Sequence, residues 1–160
     1  MDLVSGEIVC DELTTDEVGD PTALPGLLDQ IASQVIQFLA DGAYDGGPTR
    51  DLLTARFGSM IEATIPPPKN ATPSPDAAQD PTVRDCHIAE IAARGRMAWQ
   101  KAPGYNQRSR GETLMGRWKT VIGPKLKARN FENQKTEVKI GVRILNRMTG
   151  LGRPHFERTA

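Results

Sequence analysis

Sixteen residues in the middle of the chain, Pro66 to Pro81, contain six prolines mixed with Asn, Ser and Thr. Proline fixes φ and removes a backbone donor, so this stretch can continue neither a helix nor a central strand. It is expected to be a loop or an insertion without a core of its own. Whatever packs must lie on either side of it, and the two sides differ in pattern.

Before the prolines the pattern alternates. Gly6 to Thr14 is a β-type run, with turn chemistry in Val4-Ser5-Gly6 ahead of it. Asp20-Pro21 supplies an acidic N-cap and a first-turn proline for a helix carrying Leu24, Leu27, Leu28 and Ile31. Val35 to Ala40 is a continuous apolar run, the mark of a buried parallel strand, and it ends at Asp41. A short helix over Thr49 to Phe57, closed by Gly58, leads to a strand over Met60 to Ile65. After the prolines the pattern is helical: Pro81 to Arg96, Asn106 to Ile122 and Glu132 to Met148, with breaks at Gly104 and Gly123-Pro124. This order predicts an α/β fold with a parallel portion to its sheet. The 160 residues suffice for a single domain, residues 1–160, with 66–81 as a loop inside it.

Apolar content of 38% with 25% charged residues fits a soluble globular chain and excludes a disordered one. No run approaches the ~20 apolar residues of a membrane helix. The acidic start at Asp2 is unlike a signal peptide. Cys10 and Cys86 lack a second sulfur or a histidine at ligand spacing, which fits reduced thiols in a cytoplasm. The formal charge of zero conceals a division. Residues 1–80 hold three basic residues against fourteen acids, a net of −11; residues 81–160 hold seventeen against six, a net of +11. A basic half of that strength suits a polyanion such as nucleic acid, or else a surface neutralised by the acidic half.

Chemistry concentrates in Tyr105 to Lys119. On a helix at ~100° per residue, Tyr105, Arg108, Glu112 and Lys119 share a stripe about 60° wide, opposite Leu114, Trp118, Val121 and Ile122. A carboxylate between two fixed cations suits a phosphodiester: the acid can hold a metal ion while Arg and Lys grip phosphates.

Tyr, two residues, Arg, three residues, Glu, six residues, Lys resembles the signature of DDE transposases of bacterial insertion sequences, matched at every gap by Tyr105, Arg108, Glu112 and Lys119. The resemblance extends to Ala40-Asp41-Gly42-Ala43-Tyr44-Asp45, which looks like that family's second acidic motif, and to Gly104-Tyr105 and Ile122-Gly123-Pro124. It implies a ribonuclease-H-like fold, a mixed sheet flanked by helices. It also implies two Mg²⁺ or Mn²⁺ ions held by Asp2, Asp41 and Glu112, and DNA phosphates held by Tyr105, Arg108 and Lys119. The implied function is metal-dependent strand cleavage and strand transfer at the element's ends, by a dimer on DNA in the bacterial cytoplasm, associated with the nucleoid. Only Met1 precedes Asp2, so most of the first strand is expected to be missing and the chain to be N-terminally truncated, with impaired or no activity. The alternatives are a non-catalytic DNA-binding remnant that competes with the full-length enzyme, and a nuclease of the same fold that never joins strands.

Other residues have plainer readings. Asp45 is a turn residue or an acid supporting Asp41; Asp11, Asp16 and Asp20 are substitutes for Asp2, with Asp20 reading better as a cap. Lys125, Lys127 and Arg129 form a basic cluster that either touches DNA backbone or is solvated. Trp99 and Trp118 are candidates for stacking on a base, Trp118 fitting a core better; His87 reads as structural and His155 lies in a Pro- and Arg-containing tail.

Overall fold

The computed structural model describes residues 1–101 and 104–152, so His155 lies outside the described residues. The chain forms two compact units: residues 16–109 make one, and residues 1–15 with those from Arg110 onward make the other. No helix among the described residues is long and apolar enough to cross a membrane.

The unit of residues 16–109 follows the alternating pattern. Helix α1 spans Asp20–Asp29, strand β1 Gln37–Leu39, helix α2 Gly47–Phe57 and strand β2 Glu62–Thr64; helices α3, Val83–Arg94, and α4, Arg96–Lys101, come after the prolines. Strands β1 and β2 pair in parallel, Gln37 opposite Glu62 and Leu39 opposite Thr64. A parallel pair needs a crossover between its strands, and α2 supplies it, ending at Gly58 with φ +91°. Leu24 and Leu28 of α1, Leu53 and Phe57 of α2, and Ala40, Ala63 and Ile65 along the strands form one buried cluster. Two side-chain bonds to backbone close it: Gln34 Nε2 donates to the Phe57 carbonyl at 2.7 Å, and Arg56 Nη2 to the Ile31 carbonyl at 2.8 Å.

Several expectations need correction here. Asp20 is the first residue of α1, not its cap; Gly19 holds the cap position, without a side-chain bond. Asp20 still places a negative charge in the first turn, where the helix dipole favours it. The apolar run 35–40 is only half-buried along β1, because the sheet has two strands, and Ile36 is exposed. The sheet is not mixed among the described residues: its single pair is parallel.

In the other unit, helix α5, Ser109–Val121, enters at Arg110, and helix α6 spans Phe131–Gly150. Asn130 caps α6 by accepting the Asn133 N–H at 2.8 Å. Val142 and Leu145 of α6 are buried, and Trp118 of α5 lies directly on Gly141. Arg117 adds a donor to the Thr149 hydroxyl at 3.2 Å. The run Gly6 to Thr14 forms no strand. Asn146 takes both polar groups of Ile8, accepting from its N–H at 2.8 Å and donating to its carbonyl at 2.9 Å, so Ile8 has neither left for a ladder. The turn before it does form: the Gly6 N–H donates to the Asp2 carbonyl at 2.9 Å, and the Asp2 N–H to that of Glu7 at 2.8 Å.

A Cβ at Gly141 would overlap the Trp118 ring, whereas one at Gly116 of α5 would meet nothing within 4 Å. Gly141→Ala is therefore expected to destabilise by about 1–3 kcal/mol through overpacking. Gly116→Ala is expected to stabilise by about 0.5–1 kcal/mol through helix propensity. Urea midpoints of the two variants, moving in opposite directions, are the check.

Candidate active site

Strand β1 runs directly into Asp41. Its pairing continues one residue past the strand, where the Ala40 N–H donates to the Thr64 carbonyl at 3.4 Å. Asp41 thus leaves the carboxyl end of a parallel strand, the place where open α/β sheets gather ligand-binding residues. Its Oδ1 accepts the Ala43 N–H at 3.1 Å and caps a 3₁₀ turn over Gly42–Tyr44. That turn sits hard against the chain leaving β2: a Cβ at Gly42 would lie 3.2 Å from the Pro66 carbonyl oxygen, which favours a residue without one.

The other oxygen of Asp41, Oδ2, accepts from Arg108 Nη2 at 3.1 Å, across 67 residues of sequence. The Arg108 side chain is 34% exposed and that of Asp41 42%, so the pair contributes about 0–1 kcal/mol. It orients groups more than it stabilises the fold. Arg108 is carried there by a 3₁₀ turn, Tyr105–Arg108, anchored by buried Tyr105. The Tyr105 ring lies tilted on Trp99 with centroids 5.4 Å apart, and His87 of α3 meets Trp99 edge-on at 5.2 Å. Burial, then the Arg50 charge, lowers the His87 pKa below the ordinary histidine value and favours the neutral ring.

The Gly42–Tyr44 turn ends at Asp45, whose side chain is 1% exposed. Arg84 Nε, at the start of α3, donates to both of its oxygens at 2.9 and 3.2 Å, and Arg50 Nη2 of α2 approaches at 3.4 Å. Asp45 is therefore a buried, doubly paired acid and not a plain turn residue. Its partners Arg50 and Arg84 carried no signal in the sequence, since neither stands at a fixed spacing from the motif.

The same stretch of α3 fastens the proline segment. Arg84 Nη1 donates to the Thr72 carbonyl at 3.1 Å, and Asp85 accepts from the Ser74 N–H and hydroxyl, both at 2.7 Å. Asp85 also accepts from the Thr82 N–H and hydroxyl, closing a capping box at the start of α3. Further along, Arg96 Nη2 donates to the carbonyl of buried Pro67 at 2.7 Å. Residues 66–81 form no helix or strand, and the segment is fastened at Pro67, Thr72 and Ser74.

The remaining candidates belong to the other unit. Asp2 accepts from the Val4 N–H at 2.9 Å, the Ser5 N–H at 3.2 Å and the Ser5 hydroxyl at 2.6 Å. The Ser5 hydroxyl, then the backbone bonds, hold its carboxyl below the ordinary carboxylate range. Glu112 and Lys119 are exposed on α5, seven residues apart and so on one face. Glu137 accepts the N–H groups of Lys127 at 2.9 Å and Ala128 at 2.8 Å, tying down the loop whose Lys125, Lys127 and Arg129 are exposed.

The single helical stripe of Tyr105, Arg108, Glu112 and Lys119 is corrected. The first two stand on the 3₁₀ turn, where the ~100° step does not apply, and α5 begins only at Ser109. Val121, placed on the apolar face, is exposed. Trp99 is fully buried and cannot stack on a base. Among the described residues, no group of three or more His, Cys, Asp or Glu side chains stands where it could hold a metal ion.

A family model described as the transposase DDE domain matches residues 1–147. The chain belongs to the transposase DDE domain family. No solved structure matches it. Membership gives this transposase domain a role in DNA transposition, with DNA as its substrate class and divalent metal ions as the family's general cofactor. Carboxylate oxygens are the donors such ions prefer, so Asp2, Asp41 and Glu112 fit in kind. They are distributed between the units, Asp41 in one and Asp2 with Glu112 in the other.

Asp85 gives the transposase domain a measurable acid response. The Thr82 hydroxyl and then the Ser74 groups hold its carboxyl far below the ordinary aspartate value of 3.8. A depressed folded pKa contributes stability above the unfolded value and loses it as pH falls through the folded one. Exchange of the Ser74 and Thr82 amides is therefore expected to accelerate, beyond its intrinsic pH dependence, as pH drops below about 4. Asp85→Asn is expected to show fast exchange at both amides already at pH 6.

Proposed function

We propose that residues 1–160 form one catalytic transposase domain of ribonuclease-H-like type, from a bacterial insertion sequence, acting on DNA in the cytoplasm beside the nucleoid. It cuts strands at the element's ends and joins them to target DNA, two copies working together on the paired ends. The observation that carries this reading is the contact between Asp41 and Arg108. It joins the acid at the end of β1 to the Tyr-Arg-Glu-Lys segment, two motifs remote in sequence, in a half-exposed position suited to a ligand.

Asp41, Glu112 and Asp2 are the ligands of two Mg²⁺ or Mn²⁺ ions in this reading. When bound, such ions activate an attacking oxygen and stabilise the departing one. The chain's own groups do the rest. Arg108 exchanges its weak bond to Asp41 for a phosphate oxygen, and a guanidinium suits that planar, two-point contact. Lys119, exposed on the same face of α5 as Glu112, neutralises a neighbouring phosphate. Tyr105, expected to hold a phosphate, is instead buried against Trp99, and in this reading it supports the turn that presents Arg108 to DNA.

A second reading has its own support. The Asp2 carboxylate is committed to three bonds in its own turn, which occupy the oxygens a metal ion would need. That favours a non-catalytic DNA-binding remnant competing for element ends. Strand cleavage and joining in Mg²⁺ separate the two. The catalytic reading expects product from the parent chain, none from Asp41→Ala or Glu112→Ala, and retained DNA binding in both variants. Binding without any cleavage by the parent chain supports the remnant, and cutting without joining a simple nuclease. Lys119→Ala is expected to lower the slope of log affinity against log salt by about 1. An unchanged slope removes Lys119 from the interface.

A further inference from the structure

We propose that Asp45 and Arg84 are a positioning pair: they hold the 41–45 turn so that Asp41 meets its reacting partners in one fixed orientation, Asp45 itself making no contact with DNA. This rests on the reading of Asp41 as a carboxylate of the reaction site.

The turn is weak by itself. It closes through two backbone bonds, from the Tyr44 N–H to the Asp41 carbonyl and from the Asp45 N–H to the Gly42 carbonyl, both 3.2 Å long. One helical turn of this size does not persist unaided. Asp45 is its last residue and is tied to elements on three sides. Arg84 grips both carboxylate oxygens and reaches the Thr72 carbonyl. Arg50 approaches Asp45 from α2 and places Nη1 at 3.5 Å from the Ala63 carbonyl of β2. The start of the turn is thus fixed by β1 and its end by α2, α3 and the proline segment. Asp41 is held between the two.

The chemistry of the pair separates positioning from packing. An apolar residue would fill the same space without the desolvation that a buried acid with two arginines incurs. A carboxylate held at both oxygens defines the direction of the backbone it hangs from, which an apolar side chain does not. At 1% exposure Asp45 cannot reach a phosphate. Its influence on the reaction passes through Asp41.

Asp45→Asn alone leaves two arginines facing a neutral partner, so the informative variant is Asp45→Asn with Arg84→Gln, which removes one charge of each sign and keeps an amide pair. Two measurements on the full chain decide the matter. The first is amide exchange at Ala43, whose N–H is held by Asp41, against exchange at Leu53 in the core. The second is DNA cleavage in Mg²⁺ with DNA affinity measured in parallel. Positioning is expected to raise Ala43 exchange while Leu53 stays unchanged. It is also expected to lower the cleavage rate about tenfold or more, affinity staying within about twofold.

Ala43 exchange that is unchanged, or that rises only in step with Leu53, overturns the proposal, because the pair then contributes to general stability alone. A cleavage rate equal to that of the parent also overturns it. If the parent chain cuts no DNA, the transposition reading fails by that result. Ala43 exchange in the same sample still decides whether the pair positions Asp41.

Discussion

A buried carboxylate cannot remain in a fold alone, and Asp45 makes that constraint concrete. Removing an ion from water costs several kcal/mol, recovered only through close opposite charge and directed hydrogen bonds. Arg84 and Arg50 provide both, and each is fixed elsewhere by a backbone carbonyl: Thr72 for Arg84 and Ala63 for Arg50. One acid thus ties α2, the start of α3 and the proline segment to the end of the 41–45 turn. Breaking such a pair at one end costs about 3–5 kcal/mol. That is a large share of the about 5–15 kcal/mol by which a domain exceeds its unfolded chain.

Four residues earlier the balance is reversed. Asp41 and Arg108 meet where both are partly open to water, and their pairing is worth little. A weak contact is what a ligand can displace. In the proposed reading, phosphate competes for the guanidinium and a metal ion for the carboxylate, each at a cost small enough for ordinary binding energy to cover. In that reading stability and reactivity fall to different acids of one short motif, and burial is the physical variable that separates them.

The sequence made the local elements of residues 16–65 readable because each rests on nearby residues. The apolar run before Asp41, the crossover helix closed by Gly58 and the strand halted by Pro66 depend on periodicity and on glycine and proline chemistry. The run Gly6 to Thr14 failed because its outcome depends on a remote partner. Asn146, 138 positions away, takes the backbone groups of Ile8, and no local pattern announces that. The proline segment shows the same limit. Its irregular backbone was legible, whereas its attachment through Arg84, Asp85 and Arg96 was not. Of the candidate site, the resemblance identified Asp41 and Arg108, and the structure added that they touch. Asp45 reads in the sequence as a turn residue or a supporting acid; its burial and its pairing with two arginines are not displayed there.

The Tyr-Arg-Glu-Lys segment also shows why spacing alone misleads about geometry. A uniform helical step from Tyr105 onward would put its four residues on one face. Tyr105 cannot obey that step, because its ring is drawn into the interior against Trp99, and a tighter 3₁₀ turn accommodates it. Tyr105 and Arg108 consequently fold with Asp41, while Glu112 and Lys119 fold with α6, the division falling between Ser109 and Arg110. A motif continuous in sequence thus draws its residues from two folding units. Three residues of chain link the arginine that attends Asp41 to the glutamate on α5, so this part of the motif is joined by covalent linkage and not by a common helical face.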